Sequence, residues 1–586
     1  MNDTDMQLRL VRALQHPQWY PHAAKNIRVI ETHISWVVLA GEFAYKIKKA
    51  VDLGFLDYTK LAARKQYCAE EIRLNRRTAP ELYLDVVALG GAPDAPVFGS
   101  EPAFEYAVRM RRFAQDELFD RLLARDELSP CHIDRLAAVI ARFHAGLTAA
   151  AHDSLYGTPA TIQTFMRQNF AQMRPLLKDA ADAASLAALA RASEAEFAAC
   201  AALFAARRMQ GFVRECHGDL HLGNIARIDD APVPFDGIEF NPALRWIDVM
   251  DELAFVMMDL LHHGRTDYAW RWLNACLEAS GDYAGIAVLR FYLAYRAAVR
   301  AKVGAIRAAQ TDVGRHTRLM EMASCREHLA LAQRCLNHRH PALIITHGLP
   351  GSGKTTFAQY LIEQMGAIRI RSDVERKRLH GLAALESSRD TVGRSRLVRE
   401  RLQSTSSRNR LTASVTCRRC SRDTELFVGR ALARHVGLKP DPQSYDHVQF
   451  GDMYGVTATQ KTYARLHELA REIVQAGYVV IVDAAFLQRA EREQFRQLAR
   501  ELSVPFAIAS LHAPETALRQ RLNQRQHDAS EADVAVLEKL RAVQQPLAPE
   551  EHAWTARFTT AQAPDSETNA RAWRKLDLIL GKSRVE

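Results

Sequence analysis

The sequence predicts two folding units in tandem, an α+β half followed by an α/β half. Three observations carry this. Short apolar strands cluster between residues 27 and 110. Helical periodicity then dominates from about 114 to 336, interrupted by one β-rich patch. From 341 onward apolar strands alternate with helices, the pattern of a parallel sheet between layers of helices. A chain of 586 residues has the length for two such halves, at about 150 residues per folding unit.

In the first half the strands read as Ile27–Ile30, Ser35–Gly41 and Phe43–Lys49, separated by polar breaks. Residues 59–78 predict a helix, Tyr83–Leu89 a strand, Gly90–Pro96 a turn, and Glu105–Met110 a further strand. This is a small, mostly β lobe. The helical stretch behind it includes an Ala-rich run near 180–210, read as packing helices. The boundaries expected are 1–338 for the first half (small lobe about 1–113, large lobe about 114–338) and 339–586 for the second. Residues 392–450 break the alternation. They are rich in Arg and Ser with weak periodicity, and read as an insertion, disordered or poorly packed.

The second half opens with an apolar strand, a Gly-rich turn and a helix. Gly348, Leu349, Pro350, Gly351, Ser352, Gly353, Lys354 and Thr355 fit G-x-x-x-x-G-K-[ST], and Thr356 follows. The glycines let backbone N–H groups point at phosphate oxygens, Lys354 can reach the β- and γ-phosphates, and Thr355 can ligate Mg²⁺. The helix behind the loop offers its positive end to the same anion. Asp483 ends the strand Tyr478–Asp483, where it can sit near Mg²⁺ like a Walker B acid. Asp373, just after the second strand of this half, can accept a proton from a substrate hydroxyl, or serve only as a helix N-cap. Arg521 and Arg525, four apart, share a helical face and can act as a lid over transferring phosphate, or be a solvated face. The stretches 340–391 and 452–560 resemble the small P-loop kinases related to polynucleotide, gluconate and zeta-toxin-type kinases. The resemblance implies a P-loop NTPase fold, with Asp373 as base towards a hydroxyl acceptor.

The first half carries a second constellation. His217-Gly-Asp219-Leu-His-Leu-Gly-Asn224 is followed by Phe235-Asp236. Phosphoryl transfer to a hydroxyl needs a carboxylate at the nucleophile and oxygen ligands for Mg²⁺. Asp219 fits the first need; Asn224 and Asp236 fit the second. A lysine on the small lobe must hold the α- and β-phosphates, paired with a helical glutamate. Lys46 and Lys48 share a face of their strand, so alternation does not choose between them. Lys46 fits the A-x-K pattern, with Glu71 as its partner and Glu70 as the alternative. Residues 27–336 resemble the aminoglycoside phosphotransferase (choline-kinase-like) family, a branch of the protein-kinase fold. The resemblance implies a bilobal kinase-like fold, Asp219 as catalytic base, Asn224 and Asp236 as Mg²⁺ ligands, Asp248 or Asp251 in a structural role, and ATP as phosphoryl donor. The first hairpin departs from the pattern: Glu31–Ser35 stands where a Gly-rich loop is expected, so phosphate cover falls to Thr32 or Ser35. The order of the two halves resembles bacterial proteins described as bifunctional aminoglycoside phosphotransferase/ATP-binding proteins.

Composition narrows the partners. No run of about 18 apolar residues exists, which rules out a membrane-spanning helix. The start of the chain lacks an apolar signal core, and nine scattered cysteines fit a reducing cytoplasm. The lone Cys417-x-x-Cys420 pair has no second pair to complete a zinc site. The net charge of +10 is uneven, with residues 383–450 alone carrying +6. The basic balance therefore belongs mostly to the insertion, which weakens the case for a nucleic-acid partner. Three readings follow: an ATP-dependent kinase with two sites acting on small-molecule hydroxyls; a catalytically weak first half regulating a P-loop kinase that acts on a small molecule or polynucleotide end; and a nucleic-acid enzyme with basic contacts in the insertion.

Overall fold

The computed structural model describes residues 3–32, 34–52, 56–310, 313–386, 455–524 and 528–581. The expected insertion at 392–450, with its Cys417–Cys420 pair, and Arg525 lie outside the described residues. The described residues fall into two compact units. One is Met1–Cys276 with Val288–Asn337, and the other is Leu277–Ala287 with His338–Glu586.

The first unit has two lobes. Its small lobe is an antiparallel sheet of β1 (Arg28–Glu31), β2 (Ser35–Ala40), β3 (Phe43–Lys48), β4 (Tyr83–Ala92), β5 (Ala95–Phe98) and β6 (Glu105–Arg111), in the order β1-β2-β3-β6-β4-β5. The helix Leu61–Asn75 covers one face, where Cys68 and Ile72 pack with Tyr83, Val108 and Met110. The helix Asp3–Ala13 covers the other, with Leu10 and Val11 against Trp36, Val38 and Tyr45. The polar opening residues hide that helix in the sequence, since only its buried face is apolar. The expected turn over Gly90–Pro96 is shorter than read: Gly90 and Gly91 continue β4, paired with Val97 and Pro96 of β5.

The large lobe is helical, with two short β elements that position chemistry. β7 (Val213–Glu215) pairs with β10 (Trp246–Asp248), and β8 (Ile225–Ile228) forms a hairpin with β9 (Ala231–Pro234). The helix Val249–His262 runs behind them, buried along nearly its whole length. No helix among the described residues is long and apolar enough to cross a membrane.

The second unit is a five-stranded parallel sheet between helices. Its strands are β11 (Ala342–His347), β12 (Ala367–Arg371), β13 (Val479–Asp483), β14 (Phe506–His512) and β15 (Thr555–Thr559), in the order β12-β13-β11-β14-β15. β15 lies in a stretch read as helical. It is five residues long, too short for alternation to show, and Ala556 and Phe558 bury it against Phe357 and Trp573. The helices Lys354–Met365 and Ala570–Ile579 share that core. A further helix spans Val456–Gln475.

Candidate active sites

In the first unit a cleft of about 1600 Å³ gathers residues far apart in the chain. Lys46 sits mid-strand in β3, opposite Val37 and Val108. Its Nζ donates to Glu71 Oε1 at 2.9 Å and also bonds Asp236. Lys48, on the same face, donates to Glu71 Oε2 at 2.7 Å and pairs with Glu239. The structure thus separates two lysines that alternation could not. Lys46 lines the cleft; Lys48 is not among the lining residues and is fully buried, with Tyr58 donating to its partner Glu239 at 2.5 Å. Burial opposes the charge on Glu71, but the two lysines outweigh it and bring its pKa down to about 2. Burial likewise opposes the charge on Lys46, and Asp236 and Glu71 outweigh it, so the ammonium is held firmly protonated. Glu70 faces elsewhere and pairs with Arg73 and Arg245.

Across the cleft, Asp219 follows Gly218, whose φ of 87° carries the chain through a tight turn. A Cβ on Gly218 would stand 2.9 Å from the Leu244 carbonyl oxygen, so a side chain there is excluded. The turn is held from behind by Glu252, which accepts from the N–H groups of His217 at 2.6 Å and Gly218 at 2.8 Å. His217 Nε2 donates to the Phe235 carbonyl at 2.9 Å, which leaves Nδ1 to accept from Asp219 N–H at 3.4 Å. His217 therefore fixes the loop. Asn224 Nδ2 donates to the Asp219 carboxylate at 3.1 Å and carbonyl at 3.0 Å. Asp236, with a positive φ of 63°, donates its backbone N–H to Tyr83 Oη at 3.1 Å. Burial works against ionising Asp219, but His221, 3.7 Å from its Oδ2, with Arg300 and His217, holds the carboxyl far below the usual carboxylate range. His221, to which the sequence assigned nothing, is thus an electrostatic neighbour of Asp219. Asp248 and Asp251 are held by Arg207 at 2.7 Å and Arg296 at 2.6 Å. Thr32 and Ser35 close on each other: Thr32 Oγ1 accepts from Ser35 N–H at 2.9 Å, and the hydroxyls lie 2.9 Å apart.

In the second unit the phosphate loop Gly348–Thr355 runs from β11 into the helix Lys354–Met365. Gly353 caps that helix without a side-chain hydrogen bond, so its first N–H groups are left to an anion. Gly351 has a φ of 82°, and a Cβ there would meet the Leu518 backbone oxygen at 2.9 Å. Lys354 Nζ folds onto the loop, donating to the carbonyls of Gly348 at 3.0 Å and Leu349 at 2.9 Å. A cavity of about 2220 Å³ is lined by Pro350, Gly351, Lys354, Thr355, Asp373 and Asp483, among others. Asp483 is buried at the end of β13, and its Oδ2 has no hydrogen-bond partner. A buried, unsatisfied carboxylate oxygen beside Thr355 and Lys354 fits a site for a hydrated cation. Asp373 lies in the first turn of the helix Ser372–Leu379. That helix is capped at Arg371 rather than by Asp373. Its carboxylate is a quarter exposed and lies 3.6 Å from Arg376. Arg521 donates to the carbonyl of Gly351 at 3.1 Å and to Thr560 Oγ1 at 3.0 Å, while Thr560 Oγ1 donates to the Ser352 carbonyl at 2.9 Å. Arg521 is therefore a brace on the phosphate loop. Arg371 was missed by the sequence reading: it joins Glu278 and Asp528 at 2.8 Å each and lies 3.8 Å from Asp483. Its signal, an arginine two residues before Asp373, is too common to find it.

The AAA domain family matches residues 343–547, so a P-loop domain of that kind occupies the second unit. The uncharacterized protein Rv2004c of Mycobacterium tuberculosis is 31% identical over 353 residues, covering 60% of this chain and 68% of that protein. A choline/ethanolamine kinase family protein from Mesorhizobium loti has a similar structure over 56% of this chain and 99% of its own, at 12% identity and a TM-score of 0.34. A gluconokinase from Sinorhizobium meliloti does so over 42% of this chain and 94% of its own, at 17% identity and a TM-score of 0.22.

Proposed function

The chain belongs to the family of the mycobacterial protein Rv2004c, and we propose that it is an ATP-dependent phosphotransferase with two nucleotide sites, each passing a γ-phosphoryl group to a hydroxyl of a small molecule. The observation that supports this best is the bridge of Lys46 to Glu71 and Asp236, across the cleft from the Asp219–Asn224 pair. Five groups drawn from both lobes converge where phosphoryl transfer needs a cation, a base and oxygen ligands.

In the first site Lys46, steadied by Glu71, holds nucleotide phosphate. Asp219, kept ionised by His221 and Arg300, accepts the proton of the acceptor hydroxyl. His217 and Glu252 fix the turn that aims it. Asn224 and Asp236 are the residues that would hold Mg²⁺, which offsets charge on the phosphate oxygens. In the second site the backbone of Gly348–Gly353 and Lys354 receive phosphate, Thr355 and Asp483 are the groups for Mg²⁺, and Asp373 is the base. Each side chain here positions or moves a proton; little covalent chemistry is asked of the protein.

The test is ATP turnover by the full chain. Asp219→Asn and Lys354→Ala should each remove a separate part of it. If neither substitution changes turnover, the proposal fails. A second reading is favoured by one observation: the Thr32–Ser35 turn is closed by its own hydrogen bonds instead of offering free backbone N–H groups. Under it the first half binds nucleotide and regulates the P-loop half, which acts on a small molecule or a polynucleotide end. Asp219-dependent phosphoryl transfer in the Lys354→Ala protein would exclude it.

A further inference from the structure

The acceptor side of the first cleft has a definite charge. One wall is the helix Ile286–Ala309. Arg296, Val299, Arg300, Val303 and Arg307 all line the cleft, at the spacing of one helical face. Arg296 is spent: it pairs with Asp251 and donates to the carbonyl of Gly218 at 2.9 Å, immediately before Asp219. Arg300, one turn further on, is half-buried and makes no hydrogen bond or ion pair with any described residue. The neighbouring helix Pro159–Met173 contributes the neutral residues Phe165, Gln168, Asn169 and Gln172 to the lining. Lys302 donates to Asn169 Oδ1 at 2.7 Å on the same side.

The carboxylates of the cleft are almost all committed. Asp219 and Asp236 belong to the transfer site, Glu239 to Lys48, Asp248 to Arg207 and Asp251 to Arg296. Glu321 is the lining carboxylate left without an ion-pair partner among the described residues. A pocket for a polyamine would need the reverse, with free carboxylates facing the ligand and no unpaired guanidinium. A half-buried arginine without an ion-pair partner is suited to a planar or tetrahedral oxyanion, which it can hold through two N–H groups.

Resting on the phosphotransferase reading of this site, we infer that its acceptor is an alcohol carrying its own phosphate or carboxylate group, which Arg300 holds while a hydroxyl is presented to Asp219. The acceptor O–H oxygen bonds the γ-phosphorus, the bond from that phosphorus to the β-bridging oxygen breaks, ADP leaves with the electron pair, and the proton passes to Asp219. Arg300 stands one helical turn from Arg296, which bonds the Gly218 carbonyl next to Asp219, and both Arg300 and Asp219 line the cleft, so an anion bound there sits near the base.

The experiment uses the full chain with Lys354→Ala, which silences the second site. ADP release is measured with glycerol 3-phosphate, glycerate, kanamycin and ethanolamine as acceptors. The expected result is Asp219-dependent release with an anionic alcohol. Arg300→Gln should raise the KM for it about tenfold and Arg300→Lys should restore part of the loss. Comparing glycerol 3-phosphate with glycerate tells phosphate from carboxylate. Use of the amines in place of the anions, or a KM that ignores Arg300, overturns the inference and leaves the phosphotransferase reading standing. Calorimetric binding of the same four compounds to the Asp219→Asn protein separates the two failures. Anion binding that Arg300→Gln weakens, with no transfer by the parent, overturns the enzymatic reading and keeps the charge assignment. Amine binding, or binding of neither class, overturns the charge assignment.

Discussion

Under the proposed function, the two sites hold polyphosphate with opposite materials. The second unit uses backbone: six consecutive residues, 348–353, turn between β11 and the helix Lys354–Met365, and a single lysine folds over them. The first unit uses side chains: Lys46, Glu71, Asp219, Asn224 and Asp236 come from two lobes and 190 residues of chain. A backbone cradle depends on conformation, so a methyl group in the wrong place disables it. A side-chain network depends on charge balance, so removal of one partner leaves buried charges uncompensated.

The largest expected effect tests the side-chain site. Asp219→Asn removes the proton acceptor while keeping the hydrogen bond from Asn224, and should lower first-site turnover by about 10²- to 10⁴-fold. The measurement is transfer in the Lys354→Ala protein; a change of less than about tenfold would mean that Asp219 is not the base.

Next comes the ion network. Glu71→Gln leaves Lys46 and Lys48 without their shared counter-charge and should destabilise the first unit by about 3–5 kcal/mol, read by chemical denaturation at neutral pH. The sign with pH is set by the depressed pKa of Glu71. Its contribution is fully present above the ordinary value of 4.5 and is lost as pH falls towards about 2. The variant should therefore show a flatter stability profile across that window. Equal slopes would show that the lysines do not draw their stability from Glu71.

The backbone site is broken by a methyl. Gly351→Ala places a Cβ against the Leu518 oxygen in a left-handed conformation. It should weaken nucleotide binding at the second site by about tenfold or more, at a strain cost of order 1–3 kcal/mol, with first-site transfer unchanged. Loss at both sites would contradict the separation of the two. The smallest effect is expected for Arg521→Ala, which removes the brace from the carbonyl of Gly351 and from Thr560. A loss of about 1 kcal/mol in nucleotide affinity, several-fold in Kd, matches a hydrogen-bonded support of this kind. A loss of a hundredfold or more in turnover would restore a direct role at the transferring phosphate.

Legibility followed the same divide. The phosphate loop could be read whole, because every group it uses is contiguous and its glycines are demanded by the turn itself. The His217–Asn224 segment and Asp236 were also visible as a local pattern. The Lys46–Glu71 pairing was visible only as a shortlist: strand alternation puts Lys46 and Lys48 on one face, and helix Leu61–Asn75 offers both Glu70 and Glu71. Burial decides the first choice and helix rotation the second. Arg300 carried no signal at all, one of 63 arginines in the chain, and β15 was too short for periodicity.

By itself the sequence determined the two halves, the strand–loop–helix of the second, and the residue types that phosphoryl transfer requires, because these depend on periodicity and on groups close together in the chain. Tertiary structure alone decided which lysine faces the cleft, that Arg521 braces the loop, that Leu277–Ala287 belongs to the second unit, and that Arg300 lines the first cleft without an ion-pair partner among the described residues. Each of these is a matter of which charges find partners across long stretches of chain, and pairing of that kind exists only once the backbone has brought them together.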